Sequence, residues 1–142
     1  MKKIYNPFLP LDEYICDVEA HVFGDRVYLF GSHDKEGGDV YCMMGNYVVY
    51  SASVTDLSDW RCEGVIYTVK QDPFASKGKD YLYAPDVVRG NDGRYYLYYT
   101  LSGFPNYIGV AVCDTPAGRY EYYGYVRNPD GSPFRRFILA DP

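Results

Sequence analysis

The chain has 142 residues, 47% of them hydrophobic and 23% charged, the balance of one soluble globular domain. Its net charge is -5 and no basic run is longer than Lys2-Lys3 or Arg135-Arg136, so the electrostatic footprint that binds a nucleic-acid backbone is missing. No apolar stretch reaches the length needed to span a bilayer, which leaves out a membrane partner of that kind.

In chain order, the opening "MKKIYNPFLPLDEY" meets Asn, two prolines and acidic residues before an apolar run of signal-peptide length can form, so a cytoplasmic location is expected. "YICDVEAHVF" at 14 to 23 reads as a strand. Strict alternation there puts Asp17, Glu19 and His21 on one face and Val18, Ala20 and Val22 on the other, with the apolar face packing on the sheet. Short Tyr/Val/Leu/Phe runs follow, separated by the turn signals "GDR" at 24 to 26, "EGG" at 36 to 38, "NDGR" at 91 to 94 and "PDGS" at 129 to 132. The eighteen tyrosines fit this pattern, since flat side chains pack across strands. They also suit sugar-binding surfaces, offering a stacking face and a hydroxyl. Cys16, Cys42, Cys62 and Cys113 lack CxxC spacing, so no metal site is expected and buried reduced thiols are.

The sequence repeats itself. "GDRVYLFGS" matches "DGRYYLYYT", with Arg26 on Arg94, an offset of 68. "YSASVTDLSDWRCEG" matches "VAVCDTPAGRYEYYG" at an offset of 60, placing Trp60 opposite Tyr120 in a shared structural role and Gly64 opposite Gly124. An aspartate precedes each first hairpin, Asp17 in "YICDV" and Asp86 in "YAPDV", 69 apart. Units of four strands predict an all-β propeller, with blade 1 at about 14–67, blade 2 at about 82–126 and the start of blade 3 at about 137–142, where "ILADP" places Asp141. A propeller closes about four to eight blades. Two leave apolar faces open, so completion by further blades or self-association is expected.

The ordered set "NPFLPLDEYICDVEAHVFGDRVYLFGSHD", "VYSASVTDLSDW", "YAPDVVRGNDGRYYLYY" and "VAVCDTPAGRYEYYG" resembles the first two-fifths or so of a family 43 glycoside hydrolase catalytic domain, a five-bladed propeller. The resemblance implies an inverting β-xylosidase or α-L-arabinofuranosidase acting on oligosaccharides of the plant cell wall, as in xylan degradation. By the same resemblance Asp17 is the general base and Asp86 the residue that orients the acid and tunes its pKa. The acid is a glutamate of a later blade with no counterpart here, so these residues alone are expected to be inactive. Glu19 and His21 either contact sugar hydroxyls or take structural hydrogen bonds. His33 and Asp34 either touch substrate at the rim or stabilise a turn, and Tyr83 either stacks on a pentose ring or packs. No chemical cofactor is implied; a structural calcium ion in the axial channel is the one metal role the resemblance leaves open. The rival reading is a non-catalytic carbohydrate-binding or structural propeller piece.

Overall fold

A computed structural model describes residues 8–38, 42, 44–76, 80–103 and 107–134. The expected start of a third unit at 137–142, with Asp141, lies outside the described residues. Among the described residues, eight strands form two four-stranded antiparallel sheets, each a simple meander. The first contains β1 (Tyr14–Phe23), β2 (Arg26–Asp34), β3 (Asn46–Ser53) and β4 (Asp56–Thr68). The second contains β5 (Leu82–Arg89), β6 (Tyr95–Leu101), β7 (Ile108–Cys113) and β8 (Glu121–Tyr125). One 3-10 turn, Val69–Gln71, is the sole helical piece among the described residues, and no helix there is long and apolar enough to cross a membrane.

The turns fall where the glycines demand them. Gly24 at φ +64° sits between β1 and β2, and Gly93 at φ +85° between β5 and β6, backbone conformations that cost a residue without Cβ little.

The two sheets pack face to face through one apolar core. Tyr28, Phe30, Tyr47, Val49 and Tyr67 of the first sheet meet Leu82, Val87, Leu97, Tyr99 and Ala111 of the second. Within it the Tyr67 hydroxyl donates to that of Tyr99 at 2.7 Å, and Tyr99 donates to Asp72 Oδ2 at 2.5 Å. This chain satisfies polar tips that burial would otherwise penalise. A smaller cluster of Leu29, Val48 and Tyr50 lies on the opposite face of the first sheet, with Trp60 against it. Trp60 and Tyr120 therefore do not share a role: Tyr120 is buried in the core between the sheets.

The register refines the repeat. Phe30 pairs with Glu19 on one side and Val49 on the other, while Tyr98 pairs with Asp86 and Val110. The offset is 68 between β2 and β6 but 67 between β1 and β5, so Asp86 corresponds to Glu19. The expected match of Asp17 with Asp86 at 69 is corrected: Asp17 corresponds to Ala84. Gly64 and Gly124 keep their offset of 60, opposite Val49 and Val110. Tyr96, Tyr98 and Val110 thus repeat the positions by which Tyr28, Phe30 and Val49 cover the second sheet. Together with Tyr123 they line an open groove on its far side.

Candidate active site

Each first strand is bulged. In β1 the register slips between Cys16 and Glu19, and in β5 between Tyr83 and Asp86. Asp17 takes φ +51° and Ala84 φ +30°. Aspartate enters the left-handed region more readily than most residues, whereas alanine there is strained, the more so before Pro85, whose ring favours an extended predecessor. Strain of this kind is held only where surroundings enforce it. They do so here: Tyr47 donates its hydroxyl to the Tyr83 carbonyl at 2.8 Å, Ser32 donates to the Leu82 carbonyl at 3.0 Å, and the Pro85 ring is fully buried.

The bulge breaks the alternation expected along β1. Val18 and Val22 are 41% and 61% exposed, so the apolar side does not pack on the sheet as expected. The packing side carries His21 and Phe23. His21 stacks on Phe23, with centroids 5.7 Å apart, and lies beside Phe30. Its Nε2 is 2.7 Å from Asp86 Oδ1, bridging the two first strands. Glu19 is exposed on the same strand.

Asp17 is exposed. A carboxylate oxygen lies within 4.8 Å of both the Cys16 and Cys42 sulfurs. Burial first, then the neighbouring Cys42, Tyr67 and Asp17, raises the Tyr47 phenol well above its ordinary value. Tyr47 therefore stays a hydrogen-bond donor through any working pH.

The rim residues are occupied with structure. His33 Nδ1 is 3.1 Å from Asn46 Oδ1 and its Nε2 is 3.6 Å from Glu13 Oε2. Asp34 accepts from the backbone N–H groups of Lys35 at 2.9 Å and Cys42 at 3.2 Å. Tyr83 is half-buried and contributes its carbonyl to the contact with Tyr47. All four cysteines are free, but only Cys42 is buried and Cys62 is exposed, so the expectation of four buried thiols is corrected. Sequence reasoning missed Tyr47 and Ser32, which fasten β5 to the first sheet, and the approach of Cys42 to Cys16.

The family model "Glycosyl hydrolases family 43" matches residues 4–135. The chain belongs to glycosyl hydrolases family 43. It is 56% identical over 131 residues to a xylosidase/arabinosidase of Thermoclostridium stercorarium, covering 92% of this chain and 27% of that protein. It is 34% identical over 138 residues to xylosidase/arabinosidase 43A of Humicola insolens, covering 91% of this chain and 39% of that one. A family 43 β-xylosidase/α-arabinofuranosidase from a compost microbial metagenome, solved with xylotriose in a calcium-free form, superposes with a TM-score of 0.68 at 30% identity, covering 91% of this chain and 43% of the other. The chain thus spans well under half the length of these relatives. Its two sheets are two blades of the family's five-bladed propeller, and β1 and β5 are the first, edge strands of their sheets.

Proposed function

We propose that this chain supplies the general base and the orienting carboxylate of an inverting glycoside hydrolase acting on terminal xylosides or arabinofuranosides of plant cell-wall oligosaccharides. The observation that carries the reading is the pair of bulged first strands, each carrying an aspartate and joined by the bond from His21 to Asp86.

Asp17 takes the proton of a water as the water attacks the anomeric carbon. An acid on the opposite side of the sugar protonates the leaving oxygen. Inversion needs the two carboxyl groups about 6.5–9.5 Å apart, so that water fits between base and sugar. Asp86, held by His21, supplies the neighbouring charge that keeps such an acid protonated near neutral pH.

None of the five glutamates suits the acid's role. Glu13 lies beside His33, Glu19 is on the strand of the base, Glu36 is in a turn and Glu121 is on the outermost strand β8. Burial alone would raise the Glu63 carboxyl, but hydrogen bonds from Ser51 and Arg61, with the charges of Arg61 and Arg26, hold it below its ordinary value, the wrong direction for an acid. The acid therefore comes from another blade, and these 142 residues alone are inactive. Xylosidase/arabinosidase relatives at 56% and 34% identity support the pentoside substrate.

The test is a chimera in which this chain replaces the matching segment of the Thermoclostridium stercorarium relative. It should hydrolyse aryl β-xyloside or aryl α-L-arabinofuranoside, and Asp17→Asn should lower kcat by about 10²–10⁴, the worth of a positioned general base. A folded chimera whose turnover is indifferent to Asp17→Asn overturns the assignment. Sugar binding without turnover favours a carbohydrate-binding propeller instead.

A further inference from the structure

Adjacent residues on a regular strand point to opposite faces. The bulge in β1 cancels that rule at one place: with Asp17 in the left-handed region, its carboxylate and the Cys16 thiol project to the same side. Cys42, 26 residues away, meets them there. Its sulfur is 3.1 Å from that of Cys16. All three ligand atoms lie within 4.8 Å of one another, the one such donor group among the described residues.

The site is held from outside. Asp34 Oδ2 accepts the backbone N–H of Cys42 at 3.2 Å, and the Ser32 carbonyl accepts the Cys16 thiol at 3.6 Å. Ser32 is itself fully buried and anchored on Leu82. Cys42 is 1% exposed, whereas the carboxylate side of the cluster is open, which leaves a way in for an ion.

We propose that Cys16, Cys42 and Asp17 form a site for one thiophilic divalent cation of the Zn²⁺ class. Two thiolates and one carboxylate are a donor set such ions accept, whereas calcium and magnesium prefer oxygen alone. Metal–sulfur bonds of about 2.3 Å in a tetrahedron put the sulfurs about 3.8 Å apart. The pair must therefore open by about 0.7 Å, a side-chain adjustment. Each thiol releases its proton to solvent as its sulfur ligates. The fourth position faces the open side and takes water. On the function proposed above, an ion here occupies the base and inhibits hydrolysis; binding itself does not depend on that function.

The experiment uses the full 142-residue chain, reduced and free of metal. Titration with Co²⁺ should give thiolate-to-cobalt charge-transfer absorption and tetrahedral ligand-field bands at one ion per chain, displaced by Zn²⁺. Zn²⁺ should protect the partly exposed Cys16, but not the exposed Cys62, from alkylation mapped by mass spectrometry, a readout that needs no variant. Cys16→Ser or Cys42→Ser should weaken binding at least about 100-fold, the upper end of what losing even an outer-shell partner costs, and Asp17→Asn about 10-fold. Cys62→Ser should change nothing. Alkylation of Cys16 unaffected by Zn²⁺, or Co²⁺ binding that survives the double serine variant, overturns the proposal.

Discussion

Removing a single oxygen, in Tyr47→Phe, tests whether the first sheet enforces the bulge that presents Asp86. The Tyr47 side chain is fully buried and its hydroxyl donates at 2.8 Å to the carbonyl of Tyr83, the residue at which the β5 register slips. Phenylalanine keeps the ring and its contacts but leaves that carbonyl unpaired. An orphaned buried acceptor costs about 1–3 kcal/mol, so a loss of about 2 kcal/mol is expected. For a chain of this size that lowers Tm by about 4–8 °C. In urea, with a slope of about 2 kcal/mol per molar, the midpoint falls by about 1 M. The phenol is held far above its ordinary pKa, so the difference between variant and wild type should be the same at every pH between about 5 and 9. Equilibrium urea unfolding followed by tyrosine and tryptophan fluorescence is the assay. A loss below about 0.5 kcal/mol, within the range of an ordinary surface change, refutes the claim that Tyr47 holds the bulge.

Gly109→Ala should be more damaging than its one added methyl suggests, because the new Cβ falls onto the Tyr99 ring, and that ring is fixed by Tyr67 and Asp72. Overpacking of this kind costs about 1–3 kcal/mol, read as a lowered urea midpoint; the variant Tyr99→Leu should relieve the clash. Asp92 accepts hydrogen bonds from Tyr96 and Arg94, which lower its carboxyl from 3.8 to about 2. Its folded pKa lies below the unfolded one, so its contribution is complete above the unfolded value and is lost as pH falls through about 2. The stability gap between wild type and Asp92→Asn should therefore be constant above about pH 5 and close on acidification, as followed by urea unfolding at several pH values.

The all-β class was legible because "RVYLFGS" and "YYLYYT" are aromatic strand runs and because Gly24, Gly37, Gly93 and Gly131 mark the turns with positive φ. Asp17 and Asp86 stood out on the first strands β1 and β5 only through the family pattern. Their mutual register was not legible. A period of two presumes an unbroken pleat, and nothing in "YICDVE" or "LYAPDV" announces an extra residue except Pro85, which strands tolerate mainly at edges and bulges. The extra residue turns Asp17 toward Cys16; because it recurs in both strands, it leaves unchanged the offset of 67 that sets Glu19 against Asp86 in the repeat. The meeting of Cys16 with Cys42 depends on how the segment after β2 returns to the sheet, which no local spacing encodes. His21 read as one of three polar residues on a face; only the packing of two blades shows that its partner is Asp86.

The central claim, that Asp17 delivers water to the sugar face opposite the leaving group, is tested most directly by the anomer first released. Proton NMR of the active chimera acting on an aryl β-xyloside should show α-xylose appearing first, with β-xylose growing in only by mutarotation. β-Xylose as the initial product would mean retention, and would contradict Asp17 as the base of a single displacement.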